Sequence, residues 1–179
     1  MAVAERILRK EGIGAVTTRR VAGELGLTPM ALYRHFRGKD ALVQALVELG
    51  FAHWETCLAR AVKGRSPRRR LDNALAAYRD FALAEPRLFE LMFLTPRPAV
   101  PNAPASLAVS PSPAFSEVIA ALRAELPSRD PEQLLLLIWA LAHGLVALHF
   151  SGRFGFDEKR FRRTYDRTMA LLWSRLRPS

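Results

Sequence analysis

Two helix starts with a glycine between them, in the stretch TTRRVAGELGLTPMALYRHFRGKD from Thr17 to Asp40, constrain this chain more than any other feature. Thr17 or Thr18 supplies a side-chain acceptor for the open N–H groups of a first helix. Val21, Ala22 and Leu25 then fall on one helical face. Gly26 follows at the position where a left-handed residue ends a helix. Thr28 caps a second helix, and Pro29 occupies its first position, where no N–H is needed. Leu32 and Phe36 share the inner face of that helix, and Met30, Ala31, Tyr33, Arg34 and His35 form its outer face. Gly38 closes it and Lys39 opens the next helix. Two short helices joined by a tight turn, the second with an exposed polar and aromatic face, read as a helix-turn-helix.

The rest of the chain has helical periodicity and no strand-like alternation. Val3–Gly12 is a short helix with Ile7 and Leu8 turned inward. From Lys39 to about Lys63, Leu42, Leu46, Leu49, His53, Trp54 and Cys57 recur at three- and four-residue steps, the pattern of one long helix. Gly64-Arg65-Ser66-Pro67 breaks it. Arg68–Ala84 is helical with Leu71, Leu75, Tyr78 and Phe81 inward, and Pro86 opens a short apolar helix through Phe93. The segment from Pro96 to Pro113 holds six of the twelve prolines and reads as a loop or extended stretch. Phe115–Leu126, Pro131–Ser151 and Asp157–Leu176 complete the helices. The expected fold is all-α with about nine helices, a three-helix helix-turn-helix head over residues 1–45 and a helical domain over residues 46–179; the family resemblance given below implies DNA binding for the first and ligand sensing with dimerisation for the second.

Charge points to an anionic partner. The formal net charge is +10, and residues 1–70 hold 14 Lys/Arg against 6 Asp/Glu, while residues 71–179 hold 13 against 11. Part of the excess, from Arg60 to Arg70, lies at the far end of the long helix, more than roughly 30 Å from its start at ~1.5 Å per residue. That run reads as a solvated helix end. A single cysteine, Cys57, excludes an internal disulfide and fits a reducing cytoplasm. Met1–Gly12 carries five charged residues and does not read as a signal peptide. Leu134–Phe150 falls short of about 20 apolar residues and contains His143 and His149, so no membrane partner is expected. A helix apolar on every side needs cover all round. A second copy of the chain supplies it, and Gly144 permits a close approach. His53 and Cys57 are spaced for one helix face, but no third metal ligand accompanies them. No phosphate loop, nucleophile elbow or paired carboxylates suggest an enzyme. No cofactor is expected.

The segment TTRRVAGELGLTPMALYRHFRGKDALV also resembles the DNA-binding segment of the TetR-like transcriptional regulators. The resemblance rests on Thr17-Thr18-Arg19, Leu25-Gly26, Leu32-Tyr33, His35-Phe36 and Lys39 before an apolar helix, and its detailed part covers roughly residues 4–50. Members usually carry several more residues before the first helix, so a trimmed or shortened first helix with fewer phosphate contacts is expected. Trp139, His143 and Gly144 resemble a W…HG signature in the C-terminal domains of one branch. The resemblance implies a homodimeric, ligand-responsive regulator, a repressor in the first instance, acting on a palindromic operator. The helix opened by Thr28 would enter the major groove. Pro29, Met30, Ala31 and Arg34 would face base edges, with Arg34 suited to guanine and the apolar pair to thymine methyls. Tyr33, His35 and Lys39 match phosphate-contacting positions, and Thr18 and Arg19 can also reach phosphate. Trp54, Tyr78, Phe81, Phe89, Met92, Phe93, Trp139 and His143 are candidates to line a pocket for a small apolar or aromatic effector, with His143 as polar handle. Such residues at helical spacing also serve as plain core. The dimer seam is expected on the last two helices, and Leu141→Glu or Leu145→Glu is expected to give monomer or insoluble protein if that residue lies in the seam. Two other readings stay open: a DNA-binding regulator without an effector, and a protein-interaction module that keeps the helix-turn-helix for packing.

Overall fold

The computed structural model describes residues 1–95 and 112–176. The helices are α1 (Ala2–Glu11), α2 (Thr18–Glu24), α3 (Pro29–Tyr33), α4 (Lys39–Ala61), α5 (Pro67–Ala84), α6 (Pro86–Phe89), α7 (Pro113–Glu125), α8 (Pro131–Phe150) and α9 (Glu158–Leu176). A 3-10 turn, Ile13–Ala15, follows α1, and a π-helical turn, Glu90–Leu94, follows α6. Among the described residues the fold is all-α with nine α-helices and no strand.

Local capping sets most of the helix starts. The Thr17 hydroxyl accepts from Arg20 N–H, and Thr28 from Ala31 N–H at 3.2 Å. Ser112 accepts from Phe115 N–H at 3.1 Å, so α7 starts at Pro113, ahead of the expected Phe115. The rest of the proline-rich stretch, residues 96–111, lies outside the described residues. Gly26 at φ +67° turns the chain between α2 and α3, and Gly38 at φ +104° turns it into α4.

Two expectations for this region are corrected. α3 ends at Tyr33, with Arg34 as its C-cap, instead of running to Phe36. The N–H groups of His35 and Phe36 both return to the Leu32 carbonyl, a tightened last turn that leads straight to Gly38. Leu25 caps the end of α2 and is 46% exposed, as is Leu27, because the turn at Gly26 carries both away from the face made by Val21 and Ala22.

The chain divides into two compact units whose boundaries fall inside α4 and α5. The first unit contains Met1–Thr56 and the segment that begins at Phe81, so α6 groups with the helix-turn-helix and not with the C-terminal helices. Ile7, Leu8, Val21, Ala22, Leu32, Leu42 and Leu46 form the core beneath the helix-turn-helix. Gly50 lets α4 lie tight on α6 and the π-helical turn; a Cβ there would stand 2.6 Å from Met92 Sδ.

The second unit contains Cys57–Asp80 and α7 to α9. Phe161, Tyr165, Met169 and Trp173 form the buried face of α9. Tyr165 donates to the Leu75 carbonyl at 2.9 Å, and Arg79 of α5 pairs with Asp166 of α9. α8 spans 20 residues and by length and composition alone is long and apolar enough to cross a membrane. Leu134, Leu135, Ile138, Ala142, Leu145 and Val146 bury one side of it as a core helix of this unit. Its other side shows Leu136, Leu137 and Leu148, each close to half exposed.

Candidate functional site

The first candidate surface is the helix-turn-helix. Thr28 and Pro29 start α3 so that its single turn presents Met30, 74% exposed, with Tyr33, Arg34 and His35 exposed beside it and Ala31 half-buried. Leu32 is buried beneath them and anchors the turn, and Phe36 is half-buried. Thr28, Pro29 and Lys39 are exposed at the two ends of this stretch. Arg19 is exposed on the first turn of α2, where Thr18 is half-buried. All ten sequence-predicted contact residues therefore lie in the first unit, on or next to α2, α3 and the start of α4.

Ion pairing sorts the arginines of this unit into two sets. Arg20 meets Glu11 through two hydrogen bonds, 2.7 and 2.5 Å, and reaches Glu24 at 3.3 Å. The Arg20 guanidinium holds the Glu11 carboxyl below the usual carboxylate range. Arg6 pairs with Glu24, and Arg9 with Glu5 at 2.8 Å and Glu85 at 2.9 Å. Arg19, Arg34, Arg37 and Lys39 have no carboxylate within ion-pair distance among the described residues. Their charge is left for an external anion. Arg37 was not among the expected contacts. It sits in the turn between α3 and α4 and is exposed, and the signal that marks it is the basic Arg37-Gly38-Lys39 run between two helices.

The eight candidate pocket residues separate into two groups. Trp54, Phe81, Phe89, Met92 and Phe93 belong to the first unit. Phe81 lies 5.5 Å from Trp54, and Phe89 lies 4.8 Å from Phe93. Phe81, Phe89 and Met92 are buried, whereas Trp54 and Phe93 are half-buried. Tyr78, Trp139 and His143 belong to the second unit and are joined by hydrogen bonds. Trp139 Nε1–H donates to the Tyr78 hydroxyl at 3.1 Å, and that hydroxyl lies 2.9 Å from His143 Nδ1. Burial raises the Tyr78 hydroxyl above its ordinary value and lowers His143 below its own. A cleft of about 140 Å³ lined by Arg9, Ala84, Glu85, Pro86 and Arg87 contains none of the eight.

The uncovered side of α8 is the other distinctive surface. Leu136, Leu137, Ala140 and Leu148 are exposed, Leu141, Gly144 and Ala147 are half-buried, and a Cβ on Gly144 would meet nothing within 4 Å. Leu145 is only 7% exposed and faces the unit's own core, away from this uncovered side. On α9, Leu171 is 58% exposed.

A helix-turn-helix with an unpaired basic face, followed by helices bearing an uncovered apolar side, defines a DNA-binding regulator of the all-α kind. Residues 1–46 match the family of bacterial regulatory proteins described as the tetR family, and residues 71–172 match the tetracycline repressor-like C-terminal domain. The chain belongs to the TetR family of transcriptional regulators, whose members are not enzymes.

Individual relatives agree. The nucleoid occlusion factor SlmA of Pasteurella multocida is 31% identical over 84 residues, covering 46% of this chain and 42% of SlmA. The class A tetracycline repressor from transposon 1721 of Escherichia coli is 44% identical over 50 residues, covering 28% of this chain and 23% of the repressor. Each match spans less than half of the relative's length. Over the whole fold, the structure of TetR from Acinetobacter baumannii AYE superposes with a TM-score of 0.66 at 25% identity, covering 99% of this chain and 96% of that one. A variant of the same protein in complex with minocycline superposes with a TM-score of 0.68 at 23% identity and the same coverage.

Proposed function

We propose that this chain is a cytoplasmic, homodimeric repressor that leaves a palindromic operator when a small apolar or aromatic effector binds. In this reading residues 1–45 bind DNA, and residues 46–179 sense the effector and dimerise. The observation that carries the DNA-binding half is the exposed face at α3 with Arg19, Arg34, Arg37 and Lys39 unpaired, while the neighbouring Arg20 is consumed by Glu11 and Glu24. A polyanion gains most from charges that carry no internal partner, since each contact releases counterions without breaking an ion pair. Pro29, Met30, Ala31 and Arg34 read bases, while Thr18, Arg19, Thr28, Tyr33, His35 and Lys39 contact the backbone. The second copy covers the uncovered side of α8 together with Leu171 of α9, and the two reading helices then stand roughly 34–36 Å apart to fit successive major grooves.

The effector half is supported by the aromatic residues that remain half-buried, Trp54 and Phe93 in one unit and Trp139 and His143 in the other. The minocycline complex of the Acinetobacter baumannii variant supports a ligand-binding role for this fold, and at its level of identity it does not carry the ligand over. To release DNA, the effector must prefer the DNA-incompetent shape; moving a 1:99 balance to 99:1 takes about 5.5 kcal/mol of such preference, shared by two ligands in a dimer.

The test is selection of operator sequences from random DNA by the full-length protein, followed by calorimetry of a bound effector with and without operator. Saturable, sequence-dependent binding and a reciprocal loss of affinity are expected. Binding that ignores sequence overturns the regulator reading. Effector affinity that ignores operator leaves a DNA-binding protein without a switch.

A further inference from the structure

Phe156, in the connection between α8 and α9, has φ +57°, and among the described residues no other residue but glycine is left-handed. For a side chain as bulky as Phe this conformation crowds Cβ against the backbone, and it persists only where the surroundings offset the strain. Gly152 and Gly155, in the same connection, adopt the same conformation without that strain. The Phe156 ring is also 73% exposed. Its far edge rests on Gly152, where a Cβ would stand 2.7 Å from it, and the rest of the ring faces outward.

The ordinary local role of such a residue is already filled. Asp157 accepts from Arg160 N–H at 3.0 Å and so caps α9. An apolar residue just before a cap commonly packs on the fourth residue of the helix, here Phe161. That seat is taken: Phe161 is fully buried, its ring stacked 4.3 Å from His149 and 5.8 Å from Phe154. Phe154 therefore covers Phe161, and Phe156 is left outside. What lies beside Phe156 is the end of α8. Leu137, Ala140, Gly144, Leu148 and Ser151 recur at three- and four-residue steps, one line of half-buried and exposed positions. Arg153 N–H returns to the Leu148 carbonyl at 3.0 Å and closes the helix, with Gly152 directly after Ser151. A ring that rests on Gly152 thus continues the uncovered side of α8.

We propose that Phe156 is an anchor of the homodimer seam: its ring seats among the uncovered leucines of a second copy's α8, and that contact offsets the strain of its backbone. This rests on the dimer reading proposed above and extends the seam past α8 into the connection that follows it. The occupant is a second copy because an aromatic anchor needs an apolar seat, and the uncovered side of α8 has no Lys, Arg, Asp or Glu from Gln133 to Phe150. Asp157 and Glu158 stand among Arg153, Lys159 and Arg160, so the surroundings are mixed in charge and select no partner of a single sign, such as a nucleic acid. In a two-fold dimer the anchor acts twice, once from each copy.

The experiment uses the purified full-length protein. Phe156→p-benzoylphenylalanine, irradiated at micromolar concentration, is expected to give a covalent dimer on a denaturing gel. Cross-links confined to a single chain overturn the inference. Phe156→Gly is expected to raise the dimer dissociation constant about tenfold or more in sedimentation equilibrium. Placed on the Leu137→Glu/Leu148→Glu monomer, the same substitution is expected to hold or raise the thermal midpoint, because the strain goes and no contact between copies is left to lose. Phe156→Asn, which also tolerates a left-handed backbone, repeats both measurements should the glycine variant fail to fold. An unchanged dissociation constant overturns the inference and leaves the α8 seam in place. A fall in the midpoint of the monomer also overturns it, since the ring then stabilises its own chain. A parent protein that is monomeric at micromolar concentration removes the dimer reading, and the inference with it.

Discussion

Along α3 the uncovered side chains are Met30, Tyr33 and Arg34, flanked by unpaired Arg37 and Lys39; along α8 they are Leu136, Leu137, Ala140 and Leu148. The first face is short, charged and built on one turn. The second is long and free of Lys, Arg, Asp and Glu from Gln133 to Phe150. The physics of the two differs accordingly. A charged face in water gains by exchanging its ions for a polyanion, and loses that gain as salt rises. An apolar face gains about 25 cal/mol for each Å² of apolar surface removed from water, with little dependence on salt. One chain therefore carries two uncovered surfaces that answer to different partners. High salt is expected to strip DNA from the protein and leave its dimer intact.

The largest expected effect breaks the second face. Leu137→Glu together with Leu148→Glu puts carboxylates into a desolvated seam, at a cost of several kcal/mol. Sedimentation should show monomer with an unchanged helical spectrum. Leu145→Glu, by contrast, should unfold the chain, because Leu145 is buried within its own unit. A stable dimer in the Leu137/Leu148 double variant would assign the α8 face to another role.

Arg34→Ala breaks the first face. It should lose about 1–3 kcal/mol on the operator and relax sequence preference if Arg34 reads a base. Equal loss on operator and random DNA would move Arg34 to the phosphate group. Thr28→Ala removes the acceptor for Ala31 N–H and should cost about 1 kcal/mol of stability, measurable by denaturant titration, with a matching fall in operator affinity because α3 has only one turn. Lys39→Ala should lower the slope of log affinity against log salt by about 1 and weaken all sequences alike. A slope unchanged from the parent would take Lys39 off the phosphates.

The smallest expected effect is a pH response of the α8–α9 pair. His149 is buried, its ring stacks 4.3 Å from Phe161, and its Nδ1 has no hydrogen-bond partner. Burial lowers its pKa from the ordinary 6.5, with Glu158 opposing the shift. The unfolded chain therefore takes the proton first. Stability is full above about 6.5, falls as pH drops through that value, and levels off below the lower folded-state pKa. His149→Phe should flatten this limb in thermal melts taken from pH 7 to pH 5. An unchanged limb would assign it to His143, which is shifted in the same direction by the same cause.

The sequence by itself determined what depends on neighbours a few residues apart. The caps at Thr17, Thr28 and Asp130 and the turns at Gly26 and Gly38 are contacts within one helical turn or single backbone conformations, so residue identity and spacing suffice to read them. The all-α class and the exposed candidates on α3 follow from the same local rules. The length of α3 was less legible, because its end at Tyr33 is set by how the chain turns back at Gly38 to enter α4. Only the tertiary structure decided which like residues differ in fate. Arg20 is spent on Glu11 while Arg34 is left unpaired, and Leu145 is buried while Leu148 is exposed. Tyr78 finds Trp139 and His143 across 61 and 65 residues of chain. Helical periodicity places a side chain on a face and says nothing about what that face meets. The partner is chosen by how α5, α8 and α9 settle against one another, where burial and donor geometry over long sequence separations set the energy.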